Sequence, residues 1–265
     1  MTRLAVLSDI HGNLPALEAV LADIQAQGRV DACWVLGDLT AYLPWSAEVV
    51  ACLRALPDTQ CLSGNLDRYV VSGYRPPVPV RSAEEWERMP DLLRVREARF
   101  RWTVQRLPYE GCCWLRDLPL QLERDVPGYG RVVGVHAAPG DDEALILPST
   151  PDSEIVPYLA DLDARLLLYG HSHIPSERQV CHIPDGAATS EPRTRCMRLA
   201  NPGSAGLPLD GNPQVSYALL DFTPDDCVVT IRRVGYDVEA MIREMEQLAY
   251  PAWEYLAQIV RRGRR

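Results

Sequence analysis

The sequence predicts an α/β protein, and three observations carry that prediction. A short apolar run, Leu4 to Leu7, is followed by apolar residues at helical spacing, Leu14, Leu17, Val20, Leu21 and Ile24. The alternation repeats: Ala32 to Leu36 reads as a strand, Ser46 to Leu56 as a helix and Thr59 to Leu62 as a third strand. It then resumes late in the chain, with apolar runs at Arg131 to Val135 and Arg165 to Tyr169. Strands alternating with helices imply a parallel sheet with right-handed crossovers, which brings the strand ends to one edge.

Taken in order, the first strand hands over to Ser8-Asp9-Ile10-His11-Gly12-Asn13. Asp9 and His11 thus occupy the strand-to-helix junction, where open α/β sheets handle ligands. Being two apart, they would point the same way from an extended backbone. The second strand ends in Gly37-Asp38 and the third in Gly64-Asn65-Leu66-Asp67. From Tyr74 to about Gly130 the pattern changes. Arg75-Pro76-Pro77-Val78-Pro79 reads as a stiff linker, Arg81 to Leu107 as a charged helix, Glu110 to Leu118 as a short helix and Leu120 to Arg124 as a strand. This segment reads as a largely helical insertion over or beside the sheet edge. Its Arg94, Arg96, Arg99 and Arg101 either face a phosphate or form a solvated helix face.

Beyond it, the strand before His136 and the strand before Gly170-His171-Ser172-His173 restore the sheet. Cys196 to Leu199 precedes Asn201-Pro202-Gly203-Ser204, and Ser216 to Phe222 with Cys227 to Val234 reads as an antiparallel pair. Helices at Asp237 to Gln247 and Trp253 to Val260 close the pattern, with a basic tail at Arg261 to Arg265 expected to fray. The whole, residues 1–265, reads as one domain carrying the insertion at about 74–130 and C-terminal helices at about 237–260.

Composition bounds the function. Hydrophobic residues are 47% and charged residues 24%, the balance of a soluble globular protein. A net charge of −9 argues against general binding to nucleic-acid backbones, while a bound metal leaves a nucleotide substrate open. All 27 basic residues are arginine, which we read as coding bias. The eight cysteines form no CxxC pair, so no zinc knuckle or redox motif is indicated, and Cys33 and Cys52 fall in apolar stretches. With neither a signal-peptide pattern nor a membrane-length apolar run, a reducing cytoplasm is the expected location.

Five histidines occur, and four of them, His11, His136, His171 and His173, stand at predicted strand ends. With Asp9, Asp38 and Asn65 at equivalent places they supply seven donors, more than one tetrahedral ion needs. Two ions sharing a bridging carboxylate is the economical reading. Mixed imidazole and carboxylate donors suit Mn, Fe, Zn, Co or Ni. The fifth histidine, His182, reads as an ordinary loop residue that could stand in as an acid.

The ordered blocks Asp9-x-His11, Gly37-Asp38, Gly64-Asn65-x-Asp67, His136 and Gly170-His171-Ser172-His173 resemble the calcineurin-like metallophosphoesterase superfamily. The flanking Ser8 to Asn13 and Asn201 to Ser204 are most similar to its small prokaryotic phosphodiesterase-like branch. The resemblance implies a four-layer α/β/β/α sandwich. It implies one metal on Asp9, His11 and His173 and another on Asn65, His136 and His171, with Asp38 bridging; Mn is the foremost choice. It also implies a metal-bridging hydroxide attacking phosphorus in line, and hence a phosphodiesterase. A phosphomonoesterase or a nucleoside polyphosphate hydrolase is the alternative. The expected partner is a small phosphoester or nucleotide.

One position departs from the pattern. Many relatives carry histidine after the asparagine of Gly-Asn; here it is Leu66, which cannot donate a proton. The other class of function is a non-catalytic scaffold on the same fold, like the retromer subunit that resembles this family. An incomplete ligand set would mark that class, and all seven positions here are filled. Two residues are candidate substrate contacts: Arg68, otherwise a surface ion pair, and Asn13, otherwise a helix cap. Asp67 reads as a turn-forming group supporting the ligands.

Overall fold

A computed structural model describes residues 2–78, 80, 82–182 and 194–264. Strands and helices first alternate: β1 (Thr2–Leu7), α1 (Leu14–Ala26), β2 (Ala32–Val35), α2 (Ser46–Ala55) and β3 (Thr59–Cys61). Three helices follow, α3 (Asn65–Ser72), α4 (Ala83–Arg106) and α5 (Tyr109–Arg116). The chain continues with β4 (Gln121–Val126), β5 (Gly130–Val135), α6 (Asp152–Leu159), β6 (Leu166–Leu168), β7 (Ser176–His182) and β8 (Arg195–Asn201). It closes with β9 (Val215–Phe222), β10 (Cys227–Val234), α7 (Val238–Gln247) and α8 (Trp253–Arg262).

The period-two direction of strand side chains sorts these elements into layers. In β1, Ala5 and Leu7 point into a core shared with Leu17 and Val20 of α1 and Val49 and Leu53 of α2. Their neighbours Leu4 and Val6 point the other way, onto Val132 of β5 and Leu166 and Leu168 of β6. Strand β2 divides likewise, Cys33 and Val35 facing the helices and Trp34 facing the second sheet. On the far side, Leu167 of β6 packs with Ile155 and Leu159 of α6. Central strands buried on both faces read as unbroken apolar runs. The result is helix, sheet, sheet, helix, the four-layer arrangement the resemblance implies.

The sheets are mixed: parallel at their centres, as the alternation predicts, with β9 and β10 forming the antiparallel pair expected at Ser216 to Phe222 and Cys227 to Val234. One has the order β10-β9-β1-β2-β3 and the other β4-β5-β6-β8-β7. β1, β2 and β3 are parallel, as are β5, β6 and β8, while β9, β10, β4 and β7 add antiparallel edges. The parallel centres arise from long crossovers; the edges arise from short connections such as Thr223 to Asp226, which permit hairpin pairing.

Other segments differ from expectation. The strand expected at Leu120 to Arg124 forms as β4, but as an integral edge of the second sheet instead of part of an insertion lying over or beside it. Asn65, expected where the third strand ends, is the first residue of helix α3. The basic tail does not fray at Arg261: α8 runs to Arg262, and Gly263 donates to Ile259 O and accepts from Gly211. β7, absent from the sequence reading, pairs with β8 so that Cys181 and Cys196 become register partners and form a disulfide. The side chain of His182 lies outside the described residues. Among the described residues, no helix is long and apolar enough to cross a membrane.

Candidate metal centre

The parallel strands of the two sheets deliver their following loops to a common edge. There the backbone departs sharply from strand geometry. Asp9, His11, Asp38, His171 and His173 all have positive φ, from 53° to 64°. Left-handed backbone is uncommon for residues other than glycine and costs on the order of 1–3 kcal/mol each, and it persists where surroundings over-determine it. Asp9 and His11 therefore do not converge through an extended backbone; β1 ends at Leu7 and two left-handed residues curl both side chains inward. Backbone bonds between loops hold the curl: Asp9 N to Gly37 O at 3.1 Å, His11 N to Asp38 O at 2.8 Å and Gly170 N to His136 O at 2.7 Å.

Two clusters result: Asp9 with His11 and His173, all buried, and Asp38 with His136, both buried, and the half-buried His171. In the first, His11 Nε2 lies 3.0 Å from His173 Nε2, and His173 Nε2 lies 3.3 Å from Asp9 Oδ1. In the second, His136 Nε2 lies 3.2 Å from His171 Nδ1, 3.5 Å from Asp38 Oδ1 and 3.1 Å from Asn65 Oδ1. Asp38 joins the clusters, since its Oδ2 is 3.8 Å from His11 Nε2. All seven residues singled out in the sequence are thus within one pair of adjoining clusters.

The donor chemistry fits cations. His136 Nδ1 donates to Leu36 O at 2.8 Å and His173 Nδ1 to Leu207 O at 2.5 Å. A carbonyl only accepts, so in the neutral imidazole these bonds place the proton on Nδ1 and leave the Nε2 lone pair for a cation. Against the effect of burial, Asp38 and Asp9 raise His136, so without metal its Nε2 tends to hold a proton facing Asp38 and Asn65, a place a cation would take. Asp9 Oδ1 is buried and, among the described residues, accepts no hydrogen bond. Asp9 and Asp38 are each at most 2% exposed, and among the described residues no arginine pairs with either. Uncompensated buried acids are costly, and metal coordination is one of the few remedies.

Burial pushes the Asp38 carboxyl up to about 7; His136 pulls it down, and Asp67 and Asp9 push it up further. Burial likewise opposes ionisation of Asp9, but His173, His136 and His11 outweigh it and hold that group below the usual carboxylate range. Burial, with His136 nearby, lowers His171 to about 4, so it is a neutral, ligand-competent imidazole at neutral pH.

Supporting residues hold these groups. Asp67 accepts from Leu39 N, Thr40 N, Thr40 Oγ1 and Gly64 N, stapling the Asp38 loop to the start of α3. Leu66 N donates to Asp38 Oδ1 at 2.9 Å while its side chain packs with Tyr69 and Phe100. Asn201 Nδ2 donates to Gly170 O and Ser172 Oγ, and Ser204 Oγ donates to Asp9 O. In the sequence Asn201 to Ser204 stands out only as a polar block after a strand, which is the signal that marks it.

Asn13 caps α1 through Ala16 N, and its amide donates to Gly206 O and Tyr236 Oη. Arg68 forks onto Asp142 and reaches Glu143, each contact 2.7 Å, tying α3 to the loop after β5.

Gly170 is fixed by space. A Cβ there would lie 1.9 Å from Ser8 Oγ and 2.8 Å from Asp9 Oδ2. Gly170→Ala is therefore expected to destabilise by about 1–3 kcal/mol and to weaken metal binding, because relief must displace Asp9 or His171. Thermal melting with metal titration by calorimetry checks this; unchanged affinity would mean the loop yields elsewhere.

Comparison with known proteins agrees with this architecture. A model of the calcineurin-like phosphoesterase superfamily domain matches residues 2–225. The chain is 31% identical to an uncharacterized protein, MJ0912, of Methanocaldococcus jannaschii, over 94% of each chain. A metallophosphoesterase from Sphaerobacter thermophilus superposes with a TM-score of 0.71 at 26% identity over 99% of both chains. A symmetrical bis(5'-nucleosyl)-tetraphosphatase of Pectobacterium atrosepticum is 29% identical over 50% of this chain and 42% of its own length. The match across residues 2–225, with the two histidine and carboxylate clusters in that span, places the chain in the calcineurin-like phosphoesterase superfamily.

Proposed function

We propose that the protein is a dinuclear metal-dependent phosphoesterase acting on phosphodiesters. The observation that carries this reading is the pair of adjoining clusters with Asp38 between them. Asp9, His11 and His173 would hold one divalent cation and Asn65, His136 and His171 the other, with Asp38 shared. Such ions lower the pKa of water and stabilise negative charge on phosphorus. The protein's own residues fix the donor geometry: Leu36 O and Leu207 O set the imidazole tautomers, and Leu66 N orients Asp38. Manganese is the first metal to test, with a cytoplasmic setting assumed. Arg68 enters only by exchanging Asp142 for a substrate phosphate, and Asn13 remains a cap.

The limited similarity to a bis(5'-nucleosyl)-tetraphosphatase favours a second reading, hydrolysis of a nucleoside polyphosphate. Both readings are tested by stripping the metal, adding back Mn, Ni, Co, Zn or Fe singly, and comparing aryl diesters, aryl monoesters and phosphoanhydrides. Metal-dependent turnover with diester preference supports the first; anhydride preference selects the second; no turnover despite two bound ions overturns both.

Leu66 makes a sharper prediction. With no side-chain proton to give at that position, the leaving group must depart as the anion, so rates should fall steeply as its pKa rises. General acids typically contribute about 10²–10⁴-fold, so poor leaving groups should lag by that order, and Leu66→His should flatten the dependence. A shallow dependence with chemistry rate-limiting would contradict this account.

A further inference from the structure

Beside the metal centre, helices α3, α4 and α8 enclose a cavity of about 720 Å³, within the range of small-molecule sites. Two residues belong to both. Asn65 lines the cavity and lies 3.1 Å from His136 Nε2. Tyr42 lines it and sets its ring edge-on to His11 at 5.0 Å. The rest of the wall is mostly apolar and aromatic, with Leu66, Tyr69, Phe100 and Tyr255.

Into this wall α4 places a buried cation. Arg99 is 8% exposed, yet among the described residues no carboxylate pairs with it. Its Nε and one Nη2 proton go to the carbonyls of Pro251 and Ala252, both at 3.1 Å. The described residues give its remaining N–H groups no acceptor. The other arginines of the charged run are otherwise engaged or exposed: Arg94 pairs with Asp91, Arg96 donates to Pro76 O, and Arg101 is exposed. Asp91 also lines the cavity, but its carboxylate pairs with Arg94. A largely buried guanidinium left without a carboxylate partner calls for an anion.

We propose that this cavity is the subsite for the organic part of the substrate, an aromatic group carrying its own phosphate, as in a nucleoside phosphate. The rings of Tyr42, Tyr69, Phe100 and Tyr255 offer stacking and edge contacts, and Arg99 takes the charge. Arg99 is here a binding and specificity residue. The inference rests on the phosphoesterase reading and gives that reading its substrate class.

The test begins with equilibrium binding to metal-stripped protein, using AMP, adenosine and inorganic phosphate as probes. AMP should bind at least tenfold more tightly than either fragment. Arg99→Met should weaken AMP about tenfold or more while changing adenosine little, and Arg99→Lys should recover part of the loss. With metal restored, the ratio of kcat/KM for ADP to that for bis(4-nitrophenyl) phosphate should fall at least tenfold in Arg99→Met, through KM. Two results would overturn the proposal: AMP binding no better than inorganic phosphate, or Arg99→Met lowering AMP and adenosine binding equally together with the melting temperature. Arg99-dependent AMP binding without hydrolysis of any ester would instead uphold the subsite and remove the phosphoesterase reading.

Discussion

Asp38→Asn is expected to abolish most of the activity while raising the melting temperature of the metal-free protein. The activity loss follows from position: Asp38 Oδ1 faces His136 at 3.5 Å and Oδ2 faces His11 at 3.8 Å, so one substitution weakens both clusters. Losing about 4 kcal/mol of charge stabilisation corresponds to roughly 10³-fold in rate. The gain in stability follows from burial. The carboxyl is pushed up to about 7 in the fold, above the value of about 3.9 usual for an unfolded chain. Between those values the folded state binds more protons than the unfolded state, so this group makes metal-free protein less stable as pH rises from about 4 to about 7. Asparagine removes that dependence and still offers an acceptor to Leu66 N. Melting of both proteins in chelator across that interval checks the sign. A variant that melts lower than the native protein at pH 7 would contradict it, and full activity with added metal would remove Asp38 from the centre.

What the sequence displayed and what it hid divide along physical lines. The candidate ligands were legible because strands bury runs such as Leu4 to Leu7, and chemically rare residues stand just beyond them. Their backbone was not, since left-handed φ at Asp9 and His11 is imposed by bonds to Gly37 O and Asp38 O from another strand's loop. Helix α3 was hidden because its first residues read as a polar turn; Asp67, accepting from Gly64 N, is what starts it. The arginines of α4 looked alike in sequence, and only packing separates buried Arg99 from exposed Arg94 and Arg101. Cys181 and Cys196 become neighbours only once β7 and β8 pair, a register that cysteine spacing does not specify.

Removing Asp67 should damage stability and metal binding together, unlike the change at Asp38. Its carboxylate accepts from Leu39 N, Thr40 N and Gly64 N at 3.0–3.1 Å and from Thr40 Oγ1 at 2.7 Å, and it is 0% exposed. Asp67→Ala leaves these buried donors without their acceptor, at an expected total of about 3–5 kcal/mol. For a chain of this size that is roughly 6–10 °C of melting temperature. Asp67→Asn should fall between, because an amide turns one acceptor into a donor facing backbone N–H groups that also donate. The same bonds position the ligands: Leu39 and Thr40 follow Asp38, and Gly64 precedes Asn65. Loosening them should weaken metal affinity about 10–100-fold, the usual effect of removing a group that orients ligands. Calorimetric metal titration alongside melting measures both, and activity that returns at saturating metal would identify Asp67 as a positioning residue. An Asp67→Ala protein with native melting and native affinity would mean that the loops carrying Asp38 and Asn65 are held by their backbone bonds alone.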